Sequence, residues 1–121
     1  ESDLFLRTSE LARFGRLLLD DGRHEGRQLV PAGYCARIAA ESVATAVNDP
    51  EDQGFRLASG YGLGAWCGPG DGTFSMAGRH GQLCIVSTSR EAVVTITAHV
   101  EAGSARTSIT TLVTEELLNR L

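Results

Sequence analysis

The chain has 121 residues, 42% of them hydrophobic, and a formal net charge of -4, which fits a single soluble globular unit with an adequate but not generous core. All eleven basic residues are arginines, scattered from Arg7 to Arg120 among acidic ones, so there is no basic stripe from which phosphates would displace counterions, and nucleic-acid binding is not expected. No apolar run approaches the roughly 18 residues that cross a bilayer, and the acidic start Glu1-Ser2-Asp3 lacks the basic and apolar regions of a signal peptide, which leaves open a targeting signal on a segment upstream.

Thr8 or Ser9 is placed to cap a helix whose first turn carries Glu10. Leu11, Phe14, Leu17 and Leu18 recur at helical spacing until Asp21-Gly22 stops them, which predicts a helix over Ser9–Asp20. Gly22-Arg23-His24-Glu25-Gly26 reads as a surface turn with a solvated His24. Pro31 suits the first turn of a second helix, expected to reach Ser42 and to bury Tyr34, Cys35 and Ile38. The polar stretch from Val47 to Ser59 predicts an exposed loop within one unit; its Asp49, Glu51 and Asp52 lack calcium-loop spacing, and no metal site is expected.

Tyr61-Gly62-Leu63-Gly64-Ala65-Trp66-Cys67 alternates in the manner of a strand, with glycines that let another backbone or a substrate come close. Gly60, Gly62 and Gly64 have neither the spacing nor the following helix of a nucleotide fingerprint, and no cofactor is expected. After the turn Gly68-Pro69-Gly70-Asp71-Gly72, Thr73 to Met76 restarts as a strand. Gln82 to Thr88 and Ala92 to Val100 are two more, joined as a hairpin at Ser89-Arg90. Ile109, Leu112, Val113, Leu117 and Leu121 then mark a C-terminal helix from about Ala105. The fold class expected is α+β, an antiparallel sheet of three to four strands with flanking helices, without internal repeat or low-complexity segment.

Cys35, Cys67 and Cys84 are odd in number, far apart and set in apolar surroundings. Buried free thiols are the expected state, which leans toward a reducing, cytoplasmic compartment; one disulfide with a spare thiol is the other arrangement the count permits. Ser75, Ser87, Ser89 and Ser104 have no base at useful spacing, so an independent serine triad is not expected, and His99 reads as a structural or exposed residue.

The stretch with most chemical promise is Met76-Ala77-Gly78-Arg79-His80-Gly81-Gln82, where two glycines bracket an Arg and a His before the apolar run Leu83-Cys84-Ile85-Val86. Backbone amides and two polar side chains then sit at a sheet edge open to a ligand. Taken in order with Leu11-Ala12-Arg13-Phe14-Gly15, Gly26-Arg27-Gln28-Leu29-Val30-Pro31 and Tyr61-Gly62-Leu63-Gly64, this stretch resembles the C-terminal part of the penicillin-binding, class C β-lactamase-like serine hydrolases, with their esterase and amide-hydrolase relatives.

The resemblance covers nearly the whole chain but only about the last third of such a protein. It implies that residues 1–121 are the C-terminal portion of a larger domain with the β-lactamase and transpeptidase fold. In that family a serine, relieved of its proton by a Lys with help from a Tyr, forms an acyl-enzyme with an ester, amide or β-lactam. The Ser-x-x-Lys pair is not in this chain, which has no Lys, and Tyr-x-Asn is absent too: Cys35-Ala36 follow Tyr34, and Gly62-Leu63 follow Tyr61.

Only the third motif, normally Lys-Thr-Gly, has a counterpart. Met76-Ala77-Gly78 falls in its place, with Met76 at the Lys position, and a second register puts His80 in the Lys role. The resemblance implies that the Arg79 backbone amide is one oxyanion-hole donor and that Met76, Ala77, Gly78, His80, Gly81 and Gln82 line the substrate. The expected partners are a small ester, amide or β-lactam substrate and the remainder of the domain, with a homo-oligomer left open. The chain alone is expected to be inactive. Two readings of other classes stand beside this one: a non-catalytic small-molecule or peptide-binding module at Gly78 to Gln82, and a structural or interaction domain that packs on another chain.

Overall fold

The computed structural model of the chain describes residues 4–40, 43–44, 60–68, 72–99, 109 and 112–120. Helix α1 runs Thr8–Leu19, with Arg7 rather than Thr8 or Ser9 at its cap. The Glu10 carboxylate accepts the Arg7 backbone N–H at 2.7 Å and closes the first turn one residue earlier than the sequence predicts. The Thr8 hydroxyl is thereby left to share a hydrogen bond with that of Thr97. At the other end Asp21 and Gly22 take φ of 50° and 78°, a left-handed step that stops the helix. The hydrogen bond from Arg16, at 2.7 Å, holds the Asp20 carboxyl below its ordinary range.

The expected surface turn is a small hairpin of β1 (Arg23–His24) and β2 (Arg27–Gln28). It reverses at Glu25 and Gly26, with φ of 48° and 76°, the paired positive-φ positions of a two-residue hairpin loop. His24 and Glu25 are both exposed, 3.9 Å apart. Helix α2 is Tyr34–Ala40. It starts later than expected because Pro31 lies in the preceding turn, its carbonyl accepting the Tyr34 N–H at 3.2 Å, while the Gly33 N–H is drawn to the Asp21 carboxylate at 2.9 and 3.0 Å. The expected helix end at Ser42 and the loop over 47–59 lie outside the described residues.

Six strands form one antiparallel meander: β3 (Val43–Ala44), β4 (Gly60–Gly62), β5 (Ala65–Cys67), β6 (Thr73–Ala77), β7 (Leu83–Ser87) and β8 (Ala92–Ile96). The α+β class is as expected, but the sheet has six strands where three to four were expected. Tyr61 to Cys67 is two strands rather than one, because Leu63 and Gly64, at φ of 50° and 86°, reverse the chain between them. The other addition, β3, is only two residues long and leaves no period-2 signal. Strand β8 stops at Ile96, not Val100, because Ile96 already pairs with Leu83, the first residue of β7.

All five residues of β7 are buried, because both faces of the sheet are covered there. Cys84 and Val86 look toward the helices, in a core with Phe74, Cys67, Leu18, Cys35 and Ile38, and α1 lies across β7 and β8. Leu83 and Ile85 look the other way and pack with Trp66, Val94, Ile96 and Val113. Val113 belongs to a C-terminal segment of wide helical turns, Leu112–Leu117, continued by a tight turn, Leu118–Arg120; its expected start at Ala105 lies outside the described residues. Two-sided burial explains why β7 reads as a continuous apolar run.

The seat of α1 depends on Gly15. A Cβ there would stand 2.5 Å from Val93 Cγ1 and 2.9 Å from Cys84 Sγ, so only glycine lets the helix approach this closely. Phe14, on the expected apolar stripe, stays 43% exposed at its flank. The three cysteines are buried and free. Cys35 and Cys67 donate to the Leu18 and Ile38 carbonyls at 2.9 and 3.1 Å, and burial pushes the Cys84 thiol up to about 11. Among the described residues no helix is long and apolar enough to cross a membrane.

Candidate functional site

The chemistry-bearing stretch forms the end of β6, a turn, and the start of β7. In the β6–β7 ladder Met76 pairs with Cys84 and Ala77 with Leu83, whereas the β5–β6 ladder ends at Trp66 opposite Ser75. Among the described residues Met76 and Ala77 therefore have a strand partner on one side only. The sequence-based expectation of a sheet edge is corrected to this: β6 is an inner strand whose last two residues lie past the end of its ladder with β5, and Ala77 lies past the last β5 residue in register, which leaves a short open edge. Strand backbone that is unpaired on one side has N–H and C=O groups available to an extended ligand.

Gly78 is extended, at φ -103° and ψ 162°, and donates its N–H to the Gln82 carbonyl at 2.9 Å. Arg79–Gly81 then make one tight helical turn. The first amides of such a turn have no acceptor within it, so the Arg79 N–H is free of the turn's own bonding. The Arg79 side chain lies outside what is described. His80 takes a left-handed conformation, φ 66° and ψ 18°, uncommon for a residue with a Cβ, and Gly81 follows at φ 92°. Gly81 is buried; Ala77, Gly78 and His80 are exposed.

Two contacts hold this turn to the segment that follows β8. The Gln82 side-chain amide donates to the Ala98 carbonyl at 3.0 Å, and the His80 and His99 rings stack with centroids 5.2 Å apart and planes 26° apart. Gln82 also lies against Gly78, where an added Cβ would come within 3.1 Å of its Cβ and Oε1. Met76, by contrast, is half-buried against the helix-side core, so its side chain follows Cys84 and Val86 inward. The structure thus brings Gly78, the Arg79 amide, His80, Gly81 and Gln82 to one end of the sheet and turns the Met76 side chain away.

His99 carries a contact that the sequence does not signal. It was expected to be structural or exposed; it is exposed, but it also meets His80, and no periodicity or spacing signals a ring contact between two separate loops. Ser75 and Ser87 are buried in the sheet, with Ser87 accepting from Thr73 at 3.1 Å, and Ser104 lies outside the described residues. Among the described residues no group of three or more His, Cys, Asp or Glu could hold a metal ion. The arrangement offers a backbone amide without an acceptor in its own turn, a polar turn and an open strand edge, which suits binding of a carbonyl or oxyanion better than generation of a nucleophile.

No protein-family model and no curated protein matches the chain. Its fold is similar to the solved structure of the "Putative 6-aminohexanoate-dimer hydrolase from Bacillus anthracis", at a TM-score of 0.60 and 22% sequence identity, over 94% of this chain and 29% of that one. The chain therefore spans less than a third of the protein it matches, and the likeness at this identity is one of fold.

Proposed function

We propose that this chain is the sheet-bearing C-terminal part of a β-lactamase-like serine hydrolase that acts on an ester, amide or β-lactam bond through an acyl-enzyme. The carrying observation is the end of β6, where an open strand edge runs through Gly78 into the Arg79 amide, in a chain whose fold is similar to that of a hydrolase over 94% of its length. In this reading the Arg79 N–H donates to the oxyanion of the tetrahedral intermediate, a contribution of about 3 kcal/mol in hydrolases generally. The substrate lies along Met76 to Gly78, and His80 and Gln82 flank it. The nucleophilic serine, its Lys base, the assisting Tyr and the second oxyanion amide come from the rest of the domain. The exposed Leu4, Phe5, Leu6 and Phe14 are apolar surface that this remainder would cover.

The test is to read the gene upstream for Ser-x-x-Lys and Tyr-x-Asn, express the longer product, and look by intact mass for an acyl adduct with activated esters and a β-lactam. The expected result is one adduct on the upstream serine, with no adduct on residues 1–121 alone. A longer product that binds such compounds saturably without an adduct would replace the hydrolase reading with that of a binding module.

A further inference from the structure

We infer that the segment after β8, Thr97 to His99, positions the Arg79 amide, with His99 as a positioning residue; the catalytic meaning of this rests on the oxyanion reading above. Once Ile96 has paired with Leu83, β7 has no further residue for β8 to follow, and the chain passes beside the β6–β7 turn. It grips the turn on both sides of Arg79. On one side Ala98 accepts from Gln82, and Gln82 both lies against Gly78 and takes its N–H. On the other side His99 stacks on His80. The segment is itself anchored, since the Thr97 hydroxyl is bonded to that of Thr8 at the start of α1.

The need for such a grip follows from the backbone. His80 sits in a left-handed well that is unfavourable for a residue with a Cβ, and the turn is exposed at Gly78 and His80. Without lateral support its peptide planes would sample other orientations, and a donor aimed at a developing oxyanion acts only while it is aimed. Stacking on His99 biases His80 toward one conformation, and the Gln82–Ala98 bond does the same for Gly78. The Arg79 amide, between the two, inherits the bias.

The experiment measures amide hydrogen exchange by NMR at Gly78, whose N–H closes the turn on the Gln82 carbonyl, in His99→Ala and His99→Phe, with Cys84 and Val86 in β7 as the reference for global stability. Loss of one aromatic contact predicts exchange about three- to tenfold faster in the turn of His99→Ala, no change at Cys84 and Val86, and recovery in His99→Phe. In the longer protein, kcat for ester turnover falls severalfold in His99→Ala and recovers in His99→Phe, with KM within about twofold. Unchanged turn exchange in His99→Ala overturns the inference, as does faster exchange with kcat untouched. Failure of the unsubstituted protein to form an acyl adduct strikes the hydrolase reading instead, and the exchange data then decide the grip by themselves.

Discussion

Two reversals in this chain use nearly the same local backbone. Glu25–Gly26 takes φ of 48° and 76°, and His80–Gly81 takes 66° and 92°. Both put a residue with a Cβ in the left-handed region and follow it with glycine. Around Gly26 the space is open, with nothing within 4 Å of a Cβ built there, and the side chains of its hairpin are solvated. Around Gly81 the backbone is buried, and the neighbouring His80 and Gln82 are held from a third strand's extension. Local reversal chemistry is thus cheap and repeated, and what separates a connector from a candidate site is the packing that surrounds it.

The largest expected effect comes from moving the support of one reversal and not the other. Gly15→Val wedges α1 away from Cys84 and Val93; it is expected to cost about 3 kcal/mol in urea unfolding and to disturb the His80 turn through Thr8 and Thr97. NMR shifts of Glu25 and Gly26 should stay put, and equal disturbance of both turns would break the comparison. Gly81→Ala, at φ 92° in a buried position, is expected to lose about 2 kcal/mol, against about 1 kcal/mol for Gly26→Ala. Equal urea midpoints for these two variants would mean that burial adds nothing to the backbone cost.

Gln82→Ala removes the donor to Ala98 and is expected to cost about 1 kcal/mol, with faster exchange of the Gly78 amide, which is bonded to the Gln82 carbonyl. The strand below the turn responds to pH instead. Burial raises the Cys84 thiol from 9.0 to about 11, so the folded state holds a proton that the unfolded chain releases. Stability from this group is full below pH 9 and falls as the pH climbs toward 11, a slope that Cys84→Ala should lessen in denaturation curves taken across that range, leaving the part due to Cys35, whose thiol burial also raises. The smallest effect is expected for Glu25→Gly, within about 0.5 kcal/mol, because the side chain is exposed and the new glycine suits the left-handed turn.

Much of the fold is legible in the residues. The Leu11, Leu17 and Leu18 spacing with Asp21-Gly22 after it places α1 to within a residue at each end, because helix periodicity and a left-handed stop are local properties. The apolar run at Leu83 to Val86 marks the strand that is buried on both faces for a similar reason. Less legible is Tyr61 to Cys67, where the alternation of one strand is also the alternation of two short ones, and only the pairing of Gly62 with Ala65 separates them. Phe14 was counted on the apolar stripe of α1, yet Gly15 faces the sheet, because contact with β7 and β8 rewards close approach there over side-chain volume.

The candidate site divides along the same line. By itself the sequence determined the turn: glycines at 78 and 81, the polar Arg79, His80 and Gln82, and the apolar strand beyond them are short-range signals written in residue type. Tertiary structure alone decided that Met76 turns inward, that the ladder between β5 and β6 ends before β6 does, and that Ala98 and His99 close on the turn from a different strand. Those contacts join residues far apart in the chain, and they depend on strand register and on where each ladder runs out of partners, which no local pattern encodes.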